Sequence, residues 1–590
     1  MWFNGEPNTP TKEVFMTSTA RSALNPKTRA AHLEKLAATS AENPLDVLIV
    51  GGGVNGAGAA FDAATRGLSV GIVEMNDWAS GTSSRSSKLM HGGLRYLQML
   101  DFTLVAEALR ERDLLISKTA PHLVKPISFM FPMKNVFERG FIGSGIALYD
   151  AMQIGHREVP IHKHVFSKGL AKDFAGLDPE KNSGAIEFYD SRMDDARFVA
   201  MLVRSSVNLG AAAANYTKVT RYLKDGGRVV GAAITDLETG NEYEVHAREV
   251  ILAGGVWTGE EQDRAGADSG LQVLASKGIH ITVPRDAIEA KDNTGIITQT
   301  EKSVLFIIPW DEYWLIGTTD TPWKEDVSAP TATSSDIDYV LEKANDVLRR
   351  PLTREDVIGV YAGLRPLLQP VKKSDGASTK VSREHTVMEV EPGLSAIAGG
   401  KYTTYRVMAE DVVDFALRRT PEAPKTKTRD IPVIGGAGYE EMRVRAAALA
   451  ENYGIDEGRL ERLLFRYGSL LEDLFALMDE DPELATPLKD APRYLRAEIV
   501  YAARSEGVLH LADALMRRTR LDYETRDRGV SAAREVAGIL ADELGWDEAR
   551  REAEIEAYST FIAARLEAER TTSDAEAAAL LENVREIPAR

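Results

Sequence analysis

The stretch DVLIVGGGVNGAG at 46–58 carries chemistry through what its side chains lack. Gly51-x-Gly53-x-x-Gly56 follows a short, continuously apolar run, the pattern of a buried parallel strand that passes through a tight turn into a helix. In that setting Gly51 makes the turn, Gly53 lets the backbone approach a pyrophosphate, and Gly56 lets helix and strand pack closely. The helix N-terminus adds unpaired N–H groups and positive potential for the same anion. SVGIVE at 69–74 reads as the second strand, and its terminal Glu74 is set to accept hydrogen bonds from adenosine ribose hydroxyls while disfavouring a 2′-phosphate. Asn55, inside the fingerprint, is counted with the glycines as a cofactor contact.

NAD and FAD both use such a unit, so the remaining elements must choose. EVILAGGVW at 249–257 is a further apolar strand running into Gly254 and Gly255. A probable hairpin meander over 219–247 precedes it, with turn signals DGG at 225–227 and ETGN at 238–241. A late strand of this kind, returning to the same sheet with its glycines beside the cofactor, is the arrangement of two-domain FAD oxidoreductases. Val219 and Trp257, flanking that segment, are further candidate cofactor contacts. LSAIAGGKYTTYRVMAEDVVDFAL at 394–417 reads as strand, glycine pair and helix. The N-terminus of that helix, with Gly400, Lys401 and Thr403, offers donors and positive potential where a reduced flavin gathers negative charge.

Composition bounds these readings. A chain of 590 residues exceeds one hydrophobic core, and 44% hydrophobic with 27% charged residues is ordinary for a globular protein. A formal net charge of −18 argues against nucleic acid as a partner, so an anionic substrate needs a local basic pocket. The absence of cysteine excludes disulfides, thiolate catalysis and iron–sulfur clusters, and no metal site is read from the sequence. No apolar stretch approaches the roughly 18–20 residues that span a bilayer, and Glu6, Lys12 and Glu13 stand where a signal peptide needs a basic start and an apolar run. The chain reads as cytoplasmic, with a polar, proline-containing N-terminal extension over 1–43 expected to be mobile, apart from one helix near 28–38.

GGGVNGAG, TSSRSSKLMHGGLRYL, KGIHITVPR, YAGLRPL, VSREHTV and AGGKYTTYR, in that order, resemble the FAD-dependent glycerol-3-phosphate dehydrogenases, within the glycine/D-amino-acid-oxidase-like flavoproteins. The resemblance covers about 45–420, and RRTRLDYETRDRG at 517–529 is similar to that family's C-terminal domain. It implies non-covalent FAD, oxidation of sn-glycerol 3-phosphate to dihydroxyacetone phosphate, and electron delivery to membrane quinone. It also implies that Ser83, Ser84, Ser86, Ser87 and Lys88 contact FAD, with Gly92 and Gly93 bringing backbone beside the ring.

A phosphate monoester dianion needs several cationic donors, whereas an amino-acid carboxylate is usually satisfied by one bidentate arginine. The matching blocks supply Arg95, Arg365, Arg383 and Lys401. The resemblance assigns the phosphate to Arg365 and Arg383, with Arg95, Tyr96 and Lys401 lining the site. Hydride loss from C2 requires a base near neutrality, which points to histidine; of the ten histidines, His91 and His280 lie in the matching blocks, and the sequence does not rank them. Arg365 stays protonated and suits stabilisation of a developing alkoxide.

The expected fold is α/β: a Rossmann-like FAD-binding domain over 44–125, 195–280 and 358–420, a discontinuous antiparallel substrate domain over 126–194 and 281–357, and an all-α C-terminal domain over 430–590. The Phe- and Met-rich stretch 127–152 cannot span a membrane but suits an interface, so peripheral contact with the inner face of the cell membrane is an expectation, and a homodimer stays open. Alternatives are an oxidase passing electrons to oxygen, an amine or amino-acid oxidase of the same superfamily, and a non-catalytic flavin-binding protein.

Overall fold

The structure, a computed structural model, describes residues 19–94, 101–266, 272–290, 293–301, 304–368 and 385–588. Its first sheet runs in the order His385–Glu391, Leu394–Gly399, Glu242–Leu252, Leu45–Val50, Val70–Val73, Ala212–Ala214. The four junctions from Leu394–Gly399 to Ala212–Ala214 are parallel. The antiparallel strands Thr217–Asp225 and Arg228–Asp236 extend from Glu242–Leu252 as a meander, turning at Gly226 and Gly227, both at positive φ (54° and 76°). Both faces of this sheet are covered, which is why its central strands are apolar without alternation.

The helix Val54–Thr65 is built almost wholly of small residues, and this lets it lie close to the sheet and to helices Asp195–Asn208 and Tyr405–Ala416. A β-carbon at Gly58 would stand 3.0 Å from the Tyr405 ring. Ala57, Ala60 and Phe61 on this helix share one apolar core with Phe198, Leu202, Tyr405 and Val412.

The second sheet is mostly antiparallel and centres on Val124–Met133 paired with Gly184–Met193 and on Val273–Pro284 paired with Tyr313–Gly317. Its membership corrects the division expected from sequence. Val273–Pro284 crosses the boundary drawn at 280, and Gly359–Leu368, assigned to the nucleotide unit, pairs along it from Leu274↔Leu367 to Thr282↔Gly359. Leu89–Met90 likewise pairs with Gly184–Met193. Glycine and proline punctuation marks where these strands end but not which sheet takes them.

The helix expected near 28–38 is present, and the reading of the extension as mobile is corrected there. Residues 1–18 lie outside the described residues, but Pro26–Ala37 is a helix with Asn25 as its cap, and Leu33 and Leu36 are buried against the first sheet. Arg29 reaches Asp236 at 2.5 Å. The apolar pair three apart gives this helix a buried side, so it is a fixed layer rather than a loose arm.

The C-terminal region is helical, with Val530–Leu544 and Glu548–Ala568 packed around Tyr558 and Phe561. Its arginine-rich segment is buried and carries the junction with the rest of the chain. Arg517 and Arg518 both reach Asp77 (2.6 and 2.7 Å), Arg466 and Arg520 reach Asp194 (3.0 and 3.2 Å), and Glu506 pairs with Arg197 at 2.6 Å. Removing one partner from such a set leaves a buried charge uncompensated. Asp77→Ala therefore destabilises the protein by about 3–5 kcal/mol, read as a lowered denaturation midpoint in urea; a loss below about 1 kcal/mol, the scale of an exposed pair, contradicts this role.

Candidate flavin and substrate site

The turn after Leu45–Val50 explains its glycines individually. Gly51 has φ +113°, and a β-carbon there would stand 2.5 Å from the Ala253 carbonyl oxygen; at Gly56 it would stand 1.8 Å from the Gly51 oxygen. Gly53 differs, because among the described residues a β-carbon there would meet only Ser83 Oγ, at 3.2 Å. Its backbone faces a cavity of about 1260 Å³ that runs past Asn55, Glu74, Ser83, Ser86, Val219, Gly254, Gly255, Trp257 and Gly400 to Lys401. A long cleft with a glycine turn and a helix N-terminus at its wall fits a dinucleotide such as FAD.

Glu74, expected to meet the ribose, is held by backbone donors. Its carboxylate accepts from Gly52 N at 2.6 Å and Asn76 N at 2.8 Å, and it lies at the cavity wall. Burial pushes its pKa up, with the two N–H donors opposing. Ser83 Oγ accepts from Val54 N at 2.9 Å, and so joins the serine loop to the first helical turn.

That loop is organised by Asp195. Lys88 Nζ reaches Asp195 Oδ1 at 2.5 Å, while Ser86 donates to Oδ2 from both its backbone N (3.0 Å) and its hydroxyl (2.8 Å). Tyr402 and Tyr361 donate their hydroxyls to the carbonyls of Asp195 and Ser86, each at 2.7 Å. Lys88 itself adopts φ 56°, a left-handed conformation held by these contacts. Lys88, expected at the flavin, thus keeps its side chain in a buried ion pair. Ser84 faces away towards the C-terminal region, and Gly56, Gly92 and Gly93 are not among the described residues lining the flavin cavity. Gly92 serves packing: its N donates to Tyr149 Oη at 2.9 Å, and a β-carbon would stand 2.4 Å from that oxygen.

A second cavity of about 740 Å³ adjoins the first and shares Thr82, Ser86, Lys401 and Tyr402 with it. His91, His280, Arg365, Lys401, Ser87 and Thr403 line it together, although they come from four separate parts of the chain. Arg95, Tyr96 and Arg383 lie outside the described residues. Arg365 is steered by Asp320 and Thr319 O (each 3.2 Å from Nη1) and by Thr318 Oγ1 at 3.2 Å from Nη2.

The two histidines are not equivalent. His280 Nε2 is tied to Ser87 Oγ at 2.9 Å, its ring is stacked on Tyr361 (4.8 Å between centroids, 16°), and it is 2% exposed. Burial, then Arg365 and Lys88, hold its pKa well below the ordinary imidazole value. His91 is fixed through its backbone: His91 N donates to Thr403 Oγ1 (2.9 Å), whose hydroxyl donates to His91 O (3.1 Å). Its ring packs edgewise on Phe306 at 6.0 Å and borders the cavity. Burial lowers its pKa, opposed by Asp190 and reinforced by Lys401, which favours the neutral ring.

Sequence reasoning missed Asp195, Tyr361, Tyr402 and Arg85. MDDARF at 193–198 signals a helix start, and Asp194 does cap it, but nothing local marks the second carboxylate as the anchor of a loop more than a hundred residues earlier.

Comparison with known proteins agrees with this geometry. Residues 46–406 match the FAD dependent oxidoreductase family, and residues 426–551 match the C-terminal domain of alpha-glycerophosphate oxidase. The chain is 46% identical over 551 residues to glycerol-3-phosphate dehydrogenase 2 of Mycobacterium bovis, covering 93% of this chain and 92% of that protein. It is 34% identical to a mitochondrial glycerol-3-phosphate dehydrogenase of Arabidopsis thaliana, covering 90% and 88%. The crystal structure of the Bacillus halodurans glycerol-3-phosphate dehydrogenase complexed with FAD matches with a TM-score of 0.72 and 27% identity, over 96% of this chain and 99% of that one. The chain belongs to the FAD-dependent glycerol-3-phosphate dehydrogenase family.

Proposed function

We propose that the protein oxidises sn-glycerol 3-phosphate to dihydroxyacetone phosphate and passes the electrons to a membrane quinone. The observation that carries this reading is the convergence of Arg365, Lys401 and His91 on one cavity that opens into the flavin cleft. FAD, when bound, supplies the two-electron hydride acceptor; the chain's own residues bind, orient and deprotonate. Arg365 and Lys401 hold the phosphate and compensate its charge. His91, neutral and beside the cavity, takes the proton of the C2 hydroxyl. His280 fixes the Ser87 hydroxyl at the cavity wall. An amine or amino-acid substrate is disfavoured, because one bidentate arginine usually satisfies a carboxylate whereas two cations line this cavity.

Quinone reduction needs an approach to the bilayer, and the helix Val136–Ala151 provides one. Phe137, Phe141 and Leu148 lie along one side of it and are 91%, 71% and 42% exposed. Ile154, Ile161 and Phe166 continue the exposed apolar set. Among the described residues no helix is long and apolar enough to cross a membrane, so this face suits docking at the interface.

Anaerobic mixing with glycerol 3-phosphate bleaches the flavin absorbance, and Arg365→Ala abolishes the bleaching at substrate concentrations that saturate the parent; bleaching that survives in the variant, or sarcosine turnover in its place, contradicts the reading. For His91, the lowered pKa means the neutral base persists below pH 6.5, so the acid limb of the flavin-reduction rate falls at lower pH than an ordinary imidazole. His91→Gln slows reduction about 10²–10⁴-fold and removes that limb, whereas an unchanged pH profile assigns the base elsewhere. Replacing Phe137 and Phe141 by serine lowers the fraction sedimenting with neutral phosphatidylcholine vesicles by about tenfold or more and leaves bleaching in solution intact; equal sedimentation of parent and variant removes this face from docking.

A further inference from the structure

The peptide that follows His91 is held by a buried network of charges. Leu89–Met90 pairs with Gly184–Met193 in the antiparallel register Leu89↔Arg192 and Met90↔Ser191, and one further step along it sets position 91 opposite Asp190. Gly92 N is shared between Tyr149 Oη at 2.9 Å and Asp190 Oδ1 at 3.2 Å. Tyr149 Oη in turn donates to the Asp190 carboxylate, lying 3.0 and 2.9 Å from its two oxygens. Asp190 is buried, and both its oxygens meet donors, as an ionised carboxylate requires.

The charges of this network do not cancel. Arg112, buried like Asp190, gives Nη1 to Asp190 at 2.9 Å and Nη2 to Asp113 at 2.7 Å, with Gln153 Oε1 2.6 Å from the same Nη2. Two buried carboxylates therefore share one guanidinium. On its far side Asp113 Oδ2 meets the partly exposed ring of His156 at 2.9 Å. With His156 neutral the cluster keeps one negative charge in excess, and a buried anion of that kind is unfavourable unless a positive charge arises near it. His91 gains such a charge when it takes a proton. Among the described charges that act on the His91 ring, Asp190 is the negative one and has the largest effect, with Lys401 and Arg112 opposing it.

We propose that Asp190 is a positioning residue for the reaction, one that holds the His91–Gly92 peptide in place and balances the charge His91 gains on taking the C2 proton. This rests on the reading of His91 as the base. The proton passes from the C2 hydroxyl to the imidazole, whose charge rises by one, and Asp190 itself exchanges none. Without Asp190 the new charge would meet only the cations Lys401 and Arg112 among these groups, and the ring would be a weaker base. Tyr149 keeps the arrangement fixed from the helix Val136–Ala151, because its hydroxyl touches both the carboxylate and Gly92 N.

The test is the pH profile of anaerobic flavin reduction by glycerol 3-phosphate in the FAD-loaded Asp190→Asn enzyme, which loses the charge but keeps an oxygen for Gly92 N. FAD content and melting temperature confirm that the variant is folded. The acid limb moves to lower pH by about 1 unit, the plateau rate falls about tenfold, and KM does not rise. A merely structural role would slow the reaction or raise KM without moving the limb, and an unmoved limb overturns the proposal. Failure of the base assignment looks different, because the limb then survives in His91→Gln. Should Asp190→Asn not fold, the double variant Asp190→Asn/Arg112→Gln, which removes both charges of the pair, takes its place. Asp190 acts on His91 more strongly than Arg112 does, so the limb again moves down, and a limb that stays or rises overturns the proposal.

Discussion

The Asp195 carboxylate is the constraint on which the site depends. One of its oxygens takes Lys88 and the other takes both donors of Ser86, so a single buried anion fixes a left-handed residue and the loop around it. With Lys88 only 1% exposed, water does not compete for the pair, and a charge-assisted contact in that setting is stronger than at a surface. Tyr361 and Tyr402 add hydroxyl donors from two further strands and turns. The loop can therefore present Ser83 to one cavity and Ser87 to another without the flexibility its composition suggests.

Around this anchor the fold solves two opposed problems. At the nucleotide end backbone must come close to an anion, which requires glycine at 51, 53 and 56 and small residues along Val54–Thr65. At the substrate end cations must be held at the wall of a cavity, which requires nearby partners to orient them, as Asp320 orients Arg365. The C-terminal helices close the assembly from behind: Tyr523 O accepts from Thr282 Oγ1 on the strand that carries His280, and Arg517 and Arg518 clamp Asp77 just ahead of the serine loop. The tail thus acts on the site by positioning rather than by contact with a substrate.

What could be read from sequence was local chemistry. The glycine spacing, Glu74 at the end of the second strand, the meander turning at Gly226 and Gly227, and the glycine pair before Tyr405–Ala416 each declare themselves within about ten residues. His91, His280, Arg365 and Lys401, picked from separate blocks, line one cavity. What escaped was long-range. Asp195 meets partners 107 and 207 residues away. The strands Val273–Pro284 and Gly359–Leu368 were divided or misassigned because pairing, not composition, decides their sheet. The helix near 28–38 was legible, but not its packing on the first sheet, because only Leu33 and Leu36 mark its buried side.

The central claim is that the cations beside the flavin cleft, oriented by the fold, receive the phosphate of glycerol 3-phosphate and so bring C2 to His91. A crystal structure of the FAD-loaded protein soaked anaerobically with that compound tests it most directly. The account predicts phosphate oxygens about 3 Å from the Arg365 guanidinium and from Lys401 Nζ, with the C2 oxygen within hydrogen-bond reach of the His91 ring. A ligand whose phosphate lies away from both cations, or whose C2 oxygen meets His280 instead of His91, would contradict it.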